Sequence, residues 1–584
     1  MAARAWRPNE RRWEIAPPFE GAAELARRIG TAPLVAQMLH NRGIDDPAAA
    51  KAFLNPKLAD LHDPGSLAGC EQAAKRVAKA VRDGERIVLY GDYDVDGIAG
   101  VAILHAVLHL VGAKAGSLDY YVPHRLEEGY GVNVEAVRKI VAEGAKLLVT
   151  VDCGISAAEA LAEARGAGVD VIVTDHHSPP EVLPPATIVH PGIPPGAYPN
   201  ADLSGAGVAF KLAWQVAREI CGNHRVDPPM REFLLDATCL AALGTIADVV
   251  PLVGENRSLA VHGLLGLPSS KHAGLRALLK SAGLADSTLD AYHVGFILAP
   301  RLNACGRMGH ARLAVELLTD APEHRCNEIA EYLAKQNAER QKVEREITEQ
   351  AAEMVRRRGL DGEQYRAIVL ADEQWHGGVI GIVASRLVEQ FSRPTILVAI
   401  NGEGGQGSGR SIPGFHMRDA LAACAEHLVS FGGHAMAGGI RIQREKVEAF
   451  AAAMLEYAGR MVSVEQLRPT LRIDAQTTLA GLSYNVVDHL VRLAPFGQGN
   501  PPPVVAVRSC EVLAPPKRMG RGGQALSLLL GQQGARMRAV GFNMGELADR
   551  LAQGSRVDIA AEPMLNHFNG RTSVELKLLD VVWG

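Results

Sequence analysis

Residues 88–100 read VLYGDYDVDGIAG, with Asp92, Asp94 and Asp96 at every second position directly after an apolar run. Three carboxylates so close repel one another unless a cation lies among them. Farther along, Asp152 follows an apolar run at 146–151, and Asp175-His176-His177 follows another at 169–174. Asp248 stands within the otherwise apolar LAALGTIADVVPL of 240–252, where a buried carboxylate lacking a partner would carry a heavy desolvation cost. Carboxylates and imidazoles without thiolate suit Mn2+ or Mg2+ better than structural zinc. Five or more such ligands exceed what one ion needs from protein. Two ions about 3.5–4 Å apart, bridged by one carboxylate, would use them all, and such a pair can activate a water and neutralise a phosphoryl group. Each piece alone has a plainer reading: Asp-x-Asp-Gly suits a turn, the Asp-His-His triplet an exposed polar loop, and Asp248 a cap. Three clusters, each just past an apolar strand, favour the metal.

The elements that must position these residues alternate. RIVLY (86–90) precedes an apolar helix at 97–112; KLLVTV (146–151) precedes a helix at 157–168; VDVIVT (169–174) follows. Apolar strands alternating with helices predict an α/β fold with a parallel, doubly wound sheet, and ligands in such sheets sit beyond the carboxyl ends of the strands. The three ionisable loops should therefore meet at one edge. Residues 322–358 lack Gly, hold Pro only at 322 and are rich in helix formers, which predicts one helix of about 50 Å. Its apolar stripe is too gappy for a coiled coil, so it reads as a linker helix. Strand, loop, helix and strand follow in a second α/β domain, and the short β-like runs beyond Asp474 fit a small β-barrel. The chain divides on this reading into 1–50 (an N-terminal extension), 51–321 (catalytic), 322–359 (linker helix), 360–462 (second α/β domain) and 463–584 (barrel).

With 584 residues the chain exceeds a single core, and 47% hydrophobic with 22% charged residues is ordinary for a soluble globular protein. The charged N-terminus and the lack of a long uncharged apolar run predict a cytoplasmic chain with no membrane partner. Eight cysteines without a CxxC pair argue against a disulfide framework and a zinc ribbon. A net charge of −4, from 61 basic and 65 acidic residues, means that a polyanion would have to meet a local basic groove.

GDYDVDG, VTVDCGIS, VTDHH and GTIADVVPL occur in the order of the four motifs of the DHH phosphoesterase superfamily, which the chain resembles. PRLNACGRMG (300–309), WHGGVIGIVASR (375–386), GSGRSIPGF (407–415) and GGHAMAGG (432–439) extend the likeness, from about residue 50 to the C-terminus, to the RecJ family of single-strand-specific 5′→3′ DNA exonucleases. The resemblance implies a DHH domain, a DHH-associated domain and a terminal oligonucleotide-binding (OB) fold. It implies Asp94, Asp96, Asp152, His176 and Asp248 as ligands of two divalent cations, Mn2+ or Mg2+, with Asp152 as the bridge. His177 would then lie beside the scissile phosphate and Asp175 would orient the histidines. Asp92 either ligates or holds the loop, and Gly97 lets the chain turn before the helix. His416 stands where related proteins often carry an acidic residue.

Basic residues complete the expected site, since guanidinium groups hold phosphates in bidentate fashion. Arg301, Asn303 and Arg307 share RLNACGR, and Arg125 lies in a loop with Gly129 and Gly131; the resemblance implies Arg125 and Arg307 as phosphate contacts. GQGSGRS and GGHAMAGG read as glycine-rich loops able to approach phosphate, making Ser408, Arg410 and His434 candidates to grip a 5′ end. Neither fits a Walker motif or a Rossmann turn. Trp375 and His376 could stack a base, although a core position fits Trp375 as well. In the last domain PPKRMGRGGQ (515–524), Arg536, Arg538, His567, Phe568 and Arg571 suit single-strand binding through charge and stacking.

The reading is therefore a two-metal exonuclease, acting as a monomer in recombination and repair. It releases 5′-mononucleotides from single-stranded DNA, and the resemblance implies a RecQ-type helicase and single-strand-binding protein as partners. Two rivals remain: a small-substrate relative such as an oligoribonuclease, nucleotide phosphatase or pyrophosphatase, and a non-catalytic DHH-like scaffold. Small-substrate relatives lack the barrel, and scaffolds lose the carboxylates.

Overall fold

The computed structural model describes residues 11–124, 128–129, 131–193, 198–222, 225–308, 311–568 and 570–583, apart from the side chains of Arg307 and Met308. The chain forms two compact units: Lys51–Ala338 with Leu493–Pro501, and Met1–Ala50 with Glu339–Arg492 and Pro502–Gly584. Among the described residues no helix is long and apolar enough to cross a membrane.

The first strand, β1 (Arg12–Ile15), belongs to the second of these units. The first unit is built on β2 (Ile87–Gly91), β3 (Leu118–Tyr121), β4 (Leu147–Val151), β5 (Asp170–Thr174) and β6 (Thr187–Val189). All four pairings are parallel and the spatial order is β3-β2-β4-β5-β6. The chain leaves β2 outward to β3 and returns across it to β4. That reversal opens a crevice beyond the carboxyl ends of β2 and β4, where open α/β sheets place their ligands. β2 and β4 are buried throughout, as expected of strands covered on both faces.

Helix α1 (Val95–Leu110) follows β2 and is apolar on nearly every side, so it packs at the centre of this unit. It starts two residues earlier than the sequence predicts. The carboxylate of Asp94 accepts from the amides of Asp96 and Gly97 at 2.9 and 3.2 Å, and this cap sets the first turn. Gly97 thus lies inside the helix and makes no turn. A Cβ there would lie 2.7 Å from Asp92 O, so glycine lets the first turn press against the loop. Helices α2 (Ala158–Gly166), α3 (Gly205–Cys221), α4 (Pro228–Ala247) and α5 (Ala299–Met308) complete what positions the site.

Residues 493–501 join this unit through Arg257, whose buried guanidinium donates to Phe53 O, Leu493 O and Ala494 O at 2.7–2.9 Å. The long helix, α6 (Glu323–Arg357), runs unbroken for 35 residues, and the division between the units falls within it.

In the second unit a five-stranded sheet has the order β10-β11-β9-β8-β7. Its strands are β7 (Ile368–Asp372), β8 (Thr395–Asn401), β9 (Gly404–Arg410), β10 (Ser430–Gly433) and β11 (Ala437–Gln443), and only β7 and β8 are parallel. Helix α7 (Ile380–Phe391) links β7 to β8, and α8 (Met417–Ala423) follows β9. The two glycine-rich segments are therefore largely strand, which corrects the expectation of loops. Cβ atoms at Gly405, Gly407 and Gly409 would strike Val398, Ile440 and Met417 respectively, so the glycines let apolar neighbours pack down onto the sheet.

β12 (Thr470–Ile473) pairs in parallel with β1, and Asn41 donates to Asp474 O at 2.9 Å. The N-terminal segment is tied in this way to the end of the chain. Beyond lie β13 (Ala475–Thr477), β14 (Val505–Val512), β15 (Lys517–Met519), β16 (Ala525–Gln532), β17 (Ala535–Gly541), β18 (Arg556–Phe568) and β19 (Arg571–Trp583). The pairings β14–β18, β18–β19, β19–β17, β17–β16 and β16–β14 close a five-stranded barrel of the OB kind.

Candidate metal centre

Asp92 directly follows β2, Asp152 directly follows β4, and Asp175 directly follows β5. Parallel pairing therefore sets the three loops side by side. Asp96 stands in the first turn of α1, and Asp248 caps the C-terminal end of α4. His176 Nε2 lies at the middle of the group, 3.1 Å from Asp152 Oδ1, 3.5 Å from Asp248 Oδ2 and 3.8 Å from Asp96 Oδ2.

Three overlapping sets have all donor atoms within 4.8 Å of one another: Asp92-Asp94-Asp152, Asp96-His176-Asp248 and Asp152-His176-His177. Donors about 2.1 Å from a shared octahedral ion lie roughly 3–4 Å apart, so these spacings fit. Asp152 Oδ1 and His176 Nε2 are both buried and neither makes a hydrogen bond, despite their 3.1 Å separation. Native interiors rarely leave such atoms unsatisfied. The donor set of carboxylates and imidazole fits hard divalent cations, and Asp152, a carboxylate with two oxygens, enters two of the sets.

The backbone is strained at this point. Asp152 has φ +61°, a left-handed conformation uncommon outside glycine, and its amide is held by Thr174 O at 2.8 Å. Val249, immediately after Asp248, has φ +61° as well. A Cβ on Gly205 would collide with the Asp152 carboxylate, and one on Gly244 with Asp96 Oδ1. Asp96 also accepts from the amides of Gly205 and Ala206, the latter at 3.0 Å, so the N-terminal turn of α3 fixes one carboxylate. Sequence reasoning missed Gly205, Ala206 and Gly244. The signal was the N-cap Ser204 before two glycines in SGAGVAF; its hydroxyl accepts from Gly207 N at 3.1 Å.

Asp175 is saturated. It accepts from His177 Nδ1 and His176 N at 2.7 Å, from Ile155 N at 2.9 Å and from His177 N at 3.1 Å. Burial would raise its pKa, but the bond and charge of His177 and the backbone amides outweigh burial and hold it below the usual carboxylate range. Burial would likewise lower His177, yet Asp175, with Asp248 and Asp92, pushes it up to about 9. His176 is pushed down to about 4 by burial and the charge of His177, which leaves it in the neutral form that binds metals. Burial, then neighbouring carboxylates, raises Asp96 to about 7, Asp248 to about 8, and Asp152 well above its ordinary value. Proton or metal must supply the missing positive charge.

Asn303 is brought to this centre: its Oδ1 accepts from Val95 N at 3.1 Å and braces the first turn of α1. Arg301, on the same helix α5, donates to Ile297 O at 2.6 Å and leaves a buried Nε without a hydrogen bond. Arg125 and the side chain of Arg307 lie outside the described residues.

Trp375, His376, Ser408, Arg410 and His434 belong to the other unit. Trp375 is only 4% exposed, in the core beside α6, and donates to Gln350 Oε1 at 2.9 Å. That burial corrects its expected role, because a base cannot reach the ring. His376 accepts from Gly378 N at 3.1 Å. Ser408 and Arg410 stand on β9, where Arg410 donates to Ser408 Oγ at 3.1 Å and to Gly409 O at 2.8 Å. Both pack against Gly381 in the first turn of α7, where a Cβ would meet Ser408 Oγ at 2.8 Å. His434 lies in the turn between β10 and β11. His416 is the N-cap of α8, accepting from Asp419 N at 3.3 Å, a job that an acidic residue does equally well.

In the barrel Arg538 pairs with Glu575 at 3.2 Å, Arg518 with Asp549, and His567 with Thr572. Arg536, Phe568 and Arg571 are exposed.

Three family models match in chain order: the DHH family N-terminal domain over 86–242, the DHHA1 domain over 364–460 and the RecJ OB domain over 473–580. The single-stranded-DNA-specific exonuclease RecJ of Bacillus subtilis is 38% identical over 98% of this chain and 71% of its own length. That of Thermus thermophilus is 35% identical over 98% and 78%. A crystal structure of RecJ in complex with Mn2+ from Thermus thermophilus matches with a TM-score of 0.83 at 33% identity, covering 99% of this chain and 80% of that one. A crystal structure of exonuclease RecJ bound to manganese matches with a TM-score of 0.59 at 38% identity, covering 70% and 100%.

Proposed function

The chain belongs to the RecJ family, and from that membership we propose that it hydrolyses single-stranded DNA from the 5′ end and releases 5′-mononucleotides. The observation that carries the reading is the buried Asp152 Oδ1 and His176 Nε2, both without hydrogen bonds amid carboxylates from three segments of the chain. Asp94, Asp96, Asp152, His176 and Asp248 would hold two divalent cations, Mn2+ or Mg2+, with Asp92 beside them. When bound, these ions supply the Lewis acidity that phosphodiester hydrolysis requires.

The chain's own groups do the rest. Asp175 holds the His177 ring through Nδ1 and favours its protonated form, so a ring N–H would face the scissile phosphate. Asn303 holds the first turn of α1 in register, and Arg301, Arg125 and Arg307 would contact the DNA backbone. Ser408 and Arg410, against the start of α7, form a corner suited to a terminal phosphate, with His434 and His376 as neighbouring contacts. Exposed Arg536, Phe568 and Arg571 on the barrel suit a longer strand. The same reading places the enzyme in the cytoplasm as a monomer, fed by a RecQ-type helicase and single-strand-binding protein.

Single strands labelled at the 5′ or the 3′ end test the proposal, with duplex and chelator controls. The 5′ label should appear at once as mononucleotide while the 3′ label stays on shortening strands, and chelation should stop both. Release of the 3′ label first would overturn the polarity, and equal digestion of duplex the strand selectivity.

A further inference from the structure

At the far end of α1 lies a separate group of potential metal donors, His105, His109 and Asp320. The histidines stand four residues apart, which puts both on one face of the helix. Asp320 comes from the turn after the helix Ala311–Leu317. His105 Nε2 is 3.3 Å from Asp320 Oδ2, and His109 Nε2 is 3.8 Å from Asp320 Oδ1. The rings lie 4.4 Å apart, inclined at 62°. Both contacts lie within ion-pair distance, and one carboxylate faces two imidazoles at once. Zinc holds nitrogen and oxygen donors at about 2.0–2.2 Å, so the edges of its tetrahedron measure roughly 3.3–3.5 Å. One separation matches that edge, the other runs to the second oxygen of the same carboxylate, and one donor atom from each residue lies within 4.8 Å of the other two.

We propose that His105, His109 and Asp320 form a second, independent cation site that takes a borderline transition-metal ion of the Zn2+ type, with one position left to water. The donor chemistry separates it from the phosphoesterase centre. Two imidazoles and one carboxylate suit zinc, whereas a carboxylate-rich set suits Mn2+ or Mg2+. Access and anchoring are both present: His105 is buried and fixed by packing, while His109 and Asp320 are exposed and give an ion its way in. An ion there ties the C-terminal end of α1 to the turn at 318–321. The opposite end of α1, with Asp94 as its N-cap and Asp96 in its first turn, belongs to the main centre. Its role is structural.

Equilibrium dialysis of the full chain against Zn2+ in excess Mg2+, beside the exposed-site variants His109→Ala and Asp320→Asn, tests this. Each variant should bind one Zn2+ fewer per chain than the parent. Each should also lose the visible absorption of tetrahedral Co2+ while keeping Mg2+-dependent digestion of single strands. Equal stoichiometry and equal Co2+ absorption in all three proteins would overturn the site. Lost binding accompanied by lost digestion would overturn its independence from the main centre.

Discussion

On the helices packed around the sheet β2–β6, Gly97, Gly205 and Gly244 stand where a Cβ would strike the Asp92 backbone, the Asp152 carboxylate and the Asp96 carboxylate. In the sheet β7–β11, Gly405, Gly407, Gly409 and Gly438 stand where a Cβ would strike Val398, Ile440, Met417 and Leu421. Glycine enrichment thus serves opposite ends in two α/β folds of one chain. The first set makes room for buried charge and the second for apolar side chains. The chemistry belongs where the space is filled by carboxylates, so damage to the first set should cost rate and damage to the second should cost stability.

The sharpest break in that comparison is Asp152→Ala. Metal-assisted stabilisation contributes several kcal/mol, so cleavage of single strands should fall by about 10³-fold or more. DNA binding should persist, as read by anisotropy of a labelled strand. Digestion at the parent rate would remove Asp152 from the centre.

A paired experiment addresses the glycines themselves. Gly205→Ala should displace the Asp152 carboxylate and lower turnover by ~10²-fold, the scale on which ångström misplacement acts. Gly407→Ala should instead destabilise the fold by about 1–3 kcal/mol through overpacking, with turnover at permissive temperature retained. Turnover and thermal melts of both variants measure the contrast, and a reversed pattern would break it.

Asp175→Asn tests positioning without removing a donor from the ion sets. Losing a carboxylate that orients a neighbouring histidine typically costs ~10–100-fold. Because the bond and charge of Asp175 hold His177 up at about 9, the alkaline limb of the rate profile should move to lower pH. An unmoved limb would detach His177 from that limb.

The acidic clusters were legible because each closes a short apolar run, and parallel pairing converts that pattern into one shared edge. The helix 323–357 was legible from its lack of interior Gly and Pro. β9 and β11 were not, because a strand of alternating glycines carries no side-chain pattern, and only Met417, Ile440 and Leu421 overhead reveal its purpose. The amides of Gly205 and Ala206 were hidden for another reason: backbone donors have no sequence signature beyond the cap Ser204. Trp375 carried equal signals for stacking and for core, and only its position beside Gln350 decides between them. Arg257 binding Leu493 and Ala494 spans more than two hundred residues, beyond any local pattern.

The smallest effect expected is thermodynamic. Metal-free folded protein holds protons on Asp96 and Asp248, raised to about 7 and about 8, and on Asp152, which the unfolded chain releases near pH 4. His177, raised to about 9, also binds its proton more tightly when folded. All four therefore withdraw stability as pH rises. His176, lowered to about 4, acts in the opposite sense, but only below the ordinary histidine pKa of about 6.5. Between about pH 6.5 and 8 the remaining slope has one sign. The Tm of chelator-treated protein should fall across that window, at ~1–2 °C per kcal/mol for a unit of this size. Mn2+ replaces the protons, so the rise in Tm that it produces should grow with pH, and Asp152→Asn should flatten both trends. No such dependence should attach to the sheet β7–β11, where Gly407→Ala should lower Tm equally at both pH values. A Mn2+-induced rise that is constant from pH 6.5 to 8 would show that the buried carboxylates are not the groups whose charge the ions balance.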